Sequence, residues 1–161
     1  MTSKNFLSKN APALLLLSSL AASACAQSVP LLSLAPPARA SAKRGDVVTA
    51  KIGVKIGEGF HVNSNAPLDE YLIPLRLTWQ AAPLELKGIE FPAPKMEKSD
   101  FSPKPIAVFD GAFEITSKFA VPAAAPIGAG FITGKLRYQG CNSTTCFPPK
   151  TIDVRFSYDL R

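Results

Sequence analysis

The sequence predicts an all-β domain built as an antiparallel sandwich, and three observations support this prediction. Apolar and polar residues alternate with a period of two in several segments, most clearly in residues 48–56. Turns containing glycine or proline separate these segments, and the chain has 10 Gly and 15 Pro. Beyond the N-terminus, no segment has the 3.6-residue apolar period of a helix. About seven short strands of this kind favour an immunoglobulin-like Greek-key topology.

The N-terminal residues have the profile of a secretory signal peptide. A polar start containing Lys4 and Lys9 precedes an apolar stretch at residues 11–22, which small residues follow. The apolar stretch is shorter than the ~18 residues needed to cross a bilayer, and no later segment is longer, so we expect no transmembrane span. The protein is therefore expected to be periplasmic or otherwise exported.

Two cleavage sites fit the small residues, one before Cys25 and one before Gln27. We expect cleavage before Gln27, which removes Cys25. The alternative is a lipid anchor on Cys25, but Ala22 stands where lipoprotein signals usually carry Leu, which disfavours that alternative.

The charge of the chain gives little reason to expect a nucleic-acid partner. The 161 residues include 18 Lys and Arg against 12 Asp and Glu, a net charge of +6. Removal of the signal peptide, which contains Lys4 and Lys9, lowers the net charge to +4. Because the excess is small and the basic residues form no run, we expect no nucleic-acid binding.

The chain divides into three expected parts: a signal peptide at residues 1–26, a proline-rich leader at 27–45 and a sandwich domain at 46–161. The leader is expected to be extended, with one edge strand. Pro74 suggests a strand start or an edge position. The strand candidates of the domain are residues 46–56, 60–63, 73–79, 84–91, 113–121, 132–138 and 152–158.

Residues 92–105 contain four prolines, several charged residues and a single aromatic residue, Phe101. Their composition predicts a long irregular loop. Long loops inside compact domains are uncommon, and many of them act as lids over functional sites.

Cys141 and Cys146 are the cysteines that remain after loss of the signal peptide. The four residues between them are polar or turn-forming, a length that suits a β-hairpin loop joining the last two strands. Residues that flank such a loop face each other with Cα atoms about 4.5–5.5 Å apart. This separation is within the range of a disulfide, so we expect a bonded pair at an exposed loop tip.

Two interpretations of this pair stay open on spacing alone. The disulfide could fix the hairpin, but closing so short a loop contributes only about 2 kcal/mol, and a domain of this size has little need of it. Alternatively, the pair could alternate between dithiol and disulfide while it exchanges electrons with a partner. The spacing is not that of a C-x-x-C motif and does not decide between them.

Three strings around the site resemble a known family. They are Gly-Phe-His-Val-Asn-Ser-Asn-Ala-Pro at residues 59–67, Leu-Arg-Tyr-Gln-Gly-Cys at 136–141 and Cys-Phe-Pro-Pro at 146–149. Together they are similar to the N-terminal periplasmic domain of the thiol:disulfide interchange protein DsbD. The resemblance extends over residues 36–158, and the block from 138 to 149 is its most specific part.

The resemblance implies an immunoglobulin-like domain that takes electrons from a membrane or thioredoxin-like donor and passes them to oxidised periplasmic proteins. Cys146 would form the mixed disulfide with the partner, and Cys141 would resolve it. A cap loop with a phenylalanine covers the cysteines in this family. Phe101 matches that residue here, with Asp100 beside it, and Phe147 adjoins the second cysteine.

His61 and Asn63 occupy alternate positions at which the family has aromatic residues lining the site. His61 is the only histidine. It could influence a cysteine thiolate, complete a metal site with the two cysteines, or be a hydrogen-bonded residue at a strand end. Because structural metal sites use four ligands, we expect no metal and no other cofactor.

The sequence thus leads to two hypotheses of different classes. The first is a thiol:disulfide interchange domain that acts as a component of a protein-disulfide reductase and receives electrons from a separate donor protein. The second is a non-enzymatic immunoglobulin-like binding or scaffolding module with a structural disulfide.

Overall fold

The structure is a computed structural model that describes residues 30–100 and 102–161. The expected signal peptide, Cys25 and Phe101 lie outside the described residues. Within the described ranges the chain forms strands and no helix, and so it contains no helix that could cross a bilayer. The strands are β1 (Leu32–Ala35), β2 (Ala40–Ala42), β3 (Val47–Ile56), β4 (His61–Asn63), β5 (Arg76–Gln80), β6 (Glu85–Glu90), β7 (Lys95–Glu97), β8 (Ile106–Phe109), β9 (Ala112–Ala120), β10 (Gly128–Tyr138), β11 (Gly140–Cys141) and β12 (Lys150–Leu160).

These strands form three four-stranded sheets. The first has the order β1-β3-β9-β6 and the second β2-β12-β10-β5. The third, which we call the small sheet, has the order β11-β4-β8-β7. All pairings are antiparallel except that of β2 with β12, which is parallel. The immunoglobulin-like β-sandwich predicted from the sequence is confirmed.

The first two sheets pack face to face, and their alternating apolar side chains form the core. In β3 the even-numbered residues point inward and are buried, as the period of two predicts. One core cluster joins Ile52 and Ile115 of the first sheet to Leu77 and Leu136 of the second. A second cluster, around Phe119 and Phe156, continues the core towards the other end of the sandwich.

Trp79 packs against both core clusters. Its ring stands nearly perpendicular to that of Phe119, with centroids 5.3 Å apart, an arrangement that aromatic pairs favour. Its indole Nε1 donates a hydrogen bond of 3.0 Å to the hydroxyl of buried Ser117. The polar atoms between the sheets are thereby paired with each other.

The structure differs from the sequence-based expectation in its shorter strands. The leader contains two edge strands, β1 and β2, where one was expected. The segment expected to be an irregular loop at residues 92–105 contains β7, which pairs with β8. Strand β8 was not predicted, although its four residues are all buried. Both omissions concern the small sheet.

The small sheet contacts the main core through Val62 of β4 and Phe109 of β8, which belong to the first core cluster. Gly59 has a φ of +77°, a conformation that glycine adopts without steric cost, and the turn that contains it directs the chain into β4. On the same sheet, Leu72 packs against Ile106 and Val108 in a separate apolar cluster. The segment between β4 and β5 thus covers part of the small sheet and buries it.

Candidate functional site

Cys141 and Cys146 form a disulfide with an S–S distance of 2.05 Å. Strands β10 and β12 pair along their whole length up to Tyr138 opposite Lys150, and the two cysteines lie in the connection between them. Cys141 and Cys146 also face each other in an isolated antiparallel bridge. Their Cα atoms are 4.0 Å apart, slightly closer than the sequence-based estimate.

The loop between the cysteines is organised by Asn142. Its side-chain oxygen accepts hydrogen bonds from the backbone N–H groups of Thr144, at 3.0 Å, and Thr145, at 2.8 Å. The backbone N–H of Asn142 donates to the carbonyl of Thr145 at 2.9 Å. This is the turn geometry that asparagine favours, and it brings the two ends of the loop together at the disulfide.

The two cysteines differ in exposure. Cys141 is 0% exposed, whereas Cys146 is partly exposed. The expectation that the whole pair lies at an exposed loop tip is therefore wrong for Cys141. The physical reason is that Cys141 belongs to β11, which pairs with β4 at the edge of the small sheet.

Gly140 makes this burial of β11 feasible. A Cβ atom at position 140 would lie 2.5 Å from two side-chain carbons of Leu31, far inside van der Waals contact. Only glycine lets Leu31 pack directly against the backbone beside Cys141. The glycine of the Tyr-Gln-Gly-Cys string thus has a packing function.

A chain of hydrogen bonds supports the segment after Cys146. The amide of Asn63, which is 0% exposed, donates to the carbonyl of Ile73 at 3.0 Å and to the side-chain oxygen of Gln139 at 3.5 Å. Gln139 in turn donates to the carbonyl of Phe147 at 3.1 Å. The N–H of Phe147 donates to the carbonyl of Gly140 at 2.8 Å. Asn63 therefore lies behind the site and connects to it through Gln139.

His61 lies directly opposite Cys141 in the register of β4 and β11. Directly opposed residues in an antiparallel pair project from the same face, with Cβ atoms about 4.5–5.5 Å apart. His61 is 3% exposed, and no described residue forms a hydrogen bond with its Nε2 atom. The imidazole is thus enclosed beside the disulfide, with one nitrogen unpaired.

Two carboxylates act on the charge state of His61. Burial lowers the pKa of the imidazole below its usual 6.5, while Glu97 and Asp110 act in the opposite direction. The Glu97 carboxylate is 3.8 Å from Nδ1 of His61. Asp110 is itself paired with the Lys95 ammonium. Since burial is the larger effect, the ring is predominantly neutral at neutral pH.

Two clefts are lined in part by residues adjacent to the two cysteines. One, of about 490 Å³, opens over His61 and is lined by Glu58, Phe60, Glu97, Asp110 and Ser143, among others. The other, of about 340 Å³, is mainly apolar and includes Leu31, Phe60, Tyr138, Phe147 and Pro148. Phe60 lines both clefts, and its ring is 6.0 Å from that of Phe147, which lines the second.

The segment assigned as a cap loop reaches the cysteine loop through its backbone. The N–H of Asp100 donates to the carbonyl of Ser143 at 3.4 Å, which places this segment next to the turn between the cysteines. The side chain of Asp100 is exposed. Phe101 follows directly in the chain and is outside the described residues.

Three residues near the disulfide were not assigned a function from the sequence. Glu97 and Asp110 approach His61 only because β7, β8 and β4 are neighbours, and a strand of three residues gives too short an alternation to be recognised. Gln139 belongs to the Tyr-Gln-Gly-Cys string. Its position in that string, beside the first cysteine, was the signal that could have indicated a contribution to the site. Among the described residues, no group of three or more His, Cys, Asp or Glu side chains is placed to hold a metal ion.

Fold and site together define a class of protein, an immunoglobulin-like β-sandwich with a disulfide in the last hairpin. Residues 29–157 match the family model described as thiol:disulfide interchange protein DsbD, N-terminal. The chain therefore belongs to the DsbD N-terminal domain family, as the sequence resemblance predicts. None of the curated proteins matches the chain.

Among solved structures, the N-terminal periplasmic domain of ScsB from Proteus mirabilis shares the fold, with a TM-score of 0.53 and 12% sequence identity. The alignment covers 73% of this chain and 43% of that one, so the match spans less than half of the ScsB structure. A family 123 glycoside hydrolase from Clostridium perfringens aligns at a TM-score of 0.33 and 12% identity, over 82% of this chain and 27% of that one, and supports no inference.

Proposed function

We propose that the protein exchanges disulfides with exported partner proteins by cycling Cys141 and Cys146 between dithiol and disulfide. The observation that carries this proposal is the unequal exposure of the bonded pair. Cys146 is partly exposed, whereas Cys141 is completely buried next to it. In a pair of this kind, one sulfur attacks the partner and the other then resolves the mixed disulfide and releases the partner.

In the proposed reaction the reduced protein meets an oxidised client. The Cys146 thiolate attacks one sulfur of the client disulfide, so that a mixed disulfide forms and the other client sulfur leaves as a thiolate. Cys141 then attacks the sulfur of Cys146, forms the intramolecular disulfide and releases the second client sulfur. The client gains two electrons and two protons, and the cysteine pair is oxidised.

A separate protein must then return two electrons to the disulfide. Membership of the DsbD N-terminal family supports a donor that is thioredoxin-like or embedded in the membrane, and clients that reside in the periplasm. The donor is expected to attack Cys146, because Cys141 has no exposed surface. Both halves of the cycle would thus use the same sulfur.

We also propose that the segment containing Asp100 and Phe101 caps the disulfide. The hydrogen bond between Asp100 and Ser143 supports this assignment, because it holds the segment against the cysteine loop. Replacing Phe101 with Ala should then increase the reactivity of Cys146 towards a small alkylating reagent. Unchanged thiol reactivity and partner exchange in this variant would contradict the cap.

The proposal is tested by trapping partners on variants that lack one cysteine. Cys141→Ser should accumulate mixed disulfides through Cys146, since the resolving sulfur is missing. Cys146→Ser is the matched control and should trap far less, because Cys141 is buried. The double variant should trap nothing. If neither single variant forms adducts in cells that export it, the exchange function is wrong.

A redox titration of the purified protein gives an independent result. Exchange requires that the disulfide be reducible at cellular potentials, whereas structural disulfides have potentials below about −300 mV. A potential well below that value, together with a Cys146→Ser variant that changes only the melting temperature, would favour the binding-module hypothesis.

A further inference from the structure

The buried position of Cys141 raises the question of where its proton goes. A thiol must lose its proton before it can act as a nucleophile, and its ordinary pKa of about 8.5 leaves only a small thiolate fraction at neutral pH. Cys141 is 0% exposed in the disulfide-bonded protein, so its sulfur has no direct contact with bulk water there. A neighbouring protein group is therefore needed to accept the proton.

The register of the small sheet identifies the neighbour. His61 is the residue opposite Cys141, and the two side chains leave the sheet on the same face. Asn63 shares that face and pairs with Val108, which in turn pairs with Lys95. Alternation along β7 and β8 then places Glu97 and Asp110 on this face too. The strand order thus places Cys141 on β11 and His61 on β4, with Asp110 just after β8 and Glu97 on β7 beyond it, where Glu97 pairs with Ile106.

The carboxylate of Glu97 acts on the imidazole through its charge, because the two groups are too far apart for a hydrogen bond. It is 3.8 Å from Nδ1 of His61, so it favours the tautomer that carries the ring proton on that nitrogen. Nε2 then bears the free lone pair, and it has no hydrogen-bond partner among the described residues. A neutral imidazole with a free lone pair and a carboxylate behind it is the arrangement of an activating base in nucleophilic catalysis.

We infer that His61 accepts the proton of the Cys141 thiol in the step that releases the client. The inference rests on the proposed exchange function and assigns a base to its second half. The proton passes from the Cys141 sulfur to Nε2, and the resulting thiolate attacks Cys146. The Cys141–Cys146 bond forms, the bond between Cys146 and the client breaks, and the departing client sulfur takes up the proton from the imidazolium.

The other charged groups around His61 are less suitable as the acceptor. Asp110 is paired with Lys95, and the Glu97 side chain is 43% exposed and on the far side of the imidazole from β11. Glu58 lines the cleft from the turn before β4, but its side chain is exposed and it is not opposite Cys141 in the register. In the register of the described residues, His61 is the titratable group opposite Cys141.

The test separates the two exchange steps with an aromatic disulfide that releases a coloured thiolate, such as 5,5′-dithiobis(2-nitrobenzoate). The reduced protein should release the first equivalent when Cys146 attacks and the second when Cys141 resolves the mixed disulfide. His61→Gln should leave the first phase within about twofold of the unmodified protein. The second phase should slow at least tenfold at neutral pH, within the usual contribution of a general base.

Glu97→Gln is the matched variant that keeps the imidazole. Because the Glu97 carboxylate raises the pKa of His61, its loss should move the pH profile of the second phase to lower pH. His61→Gln should abolish the part of the pH profile that follows the titration of the imidazole and leave only the titration of the thiol. A purely structural contribution of His61 would not shift the pH profile in Glu97→Gln while removing the imidazole titration in His61→Gln.

The outcomes distinguish this inference from the proposed function. Absence of the first phase in the unmodified protein would contradict exchange through Cys146 itself. A normal first phase, with a second phase that is the same in His61→Gln, would overturn the inference about His61 alone. If His61→Gln does not fold, an NMR titration of the single histidine decides: its pKa should differ between the reduced and oxidised proteins, and equal values would contradict the coupling.

Discussion

His61 faces Cys141 across one antiparallel pair of strands, and both side chains are almost completely buried. Residues from distant parts of the chain thereby form one enclosed site at the edge of the small sheet. Cys146, the other half of the disulfide, is partly exposed. The fold therefore places one sulfur of the disulfide at the surface and the other in the interior.

Removing the disulfide should leave the fold intact. The bond links residues only five positions apart, so the chain-entropy model gives it about 2 kcal/mol, and β10 and β12 already hold the hairpin together. We expect the double variant Cys141→Ala/Cys146→Ala to lose no more than about 2 kcal/mol in urea unfolding, with an unchanged far-UV spectrum. A loss above about 4 kcal/mol would indicate that the bond is primarily structural.

A side chain at position 140 should force the Leu31 side chain to move. In Gly140→Ala the new Cβ would meet the Leu31 side chain at 2.5 Å, and overpacking of this kind costs about 1–3 kcal/mol. Leu31→Ala should remove the clash, so the double variant should be more stable than the two single losses added together predict. Additive losses in this double-mutant cycle would show that the contact is not the cause.

Asn63 should be important for stability through its buried amide. Asn63→Leu removes the donor to Ile73 and to Gln139 and leaves those partly buried acceptors without it. An unsatisfied buried polar group costs about 1–3 kcal/mol, and we expect a loss in that range by urea unfolding. Thr78→Val is the control, because its long hydrogen bond to Lys135 is on the exposed surface. A loss as small as the control's would contradict the assigned network.

The long strands were predictable because each buries one face against the core. In β3 the inward positions are apolar, and in β9 they are apolar except for Ser117, while the outward positions are mostly polar, so the period of two is visible in the sequence. Strand β7 has only three residues, Lys95–Glu97, too few to show a period. Strand β8 is buried throughout, and a short apolar run after a proline does not by itself distinguish a strand from other buried segments.

The candidate site was predictable in its chemistry and less so in its geometry. Two cysteines around a turn of four residues are sufficient to predict a hairpin disulfide. The burial of Cys141 depends on its pairing with β4, which lies far upstream, and no local pattern contains that information. The approach of Glu97 to His61 depends on the order of strands in the small sheet, which likewise becomes visible only in three dimensions.

The stability of the protein should fall as the pH decreases through the titration of His61. Burial lowers the pKa of His61 in the folded protein below the 6.5 expected in the unfolded chain. The unfolded state therefore binds more protons between these two values, and linkage requires stability to be lost as the pH falls through about 6.5 towards the folded pKa. Above about pH 7.5 both states are neutral at this residue, and its contribution is constant.

Because His61 is the only histidine, a single substitution isolates its contribution to the pH dependence of the unfolding free energy. The measurement is urea unfolding of the unmodified protein and of His61→Gln at intervals from about pH 8 to about pH 5.5, above the range in which most carboxylates titrate. The difference in unfolding free energy between the two proteins should shift in favour of the variant as the pH is lowered. A difference that stays constant over this range would mean that the imidazole titrates alike in the folded and unfolded states, and that it is not enclosed beside Cys141 in solution.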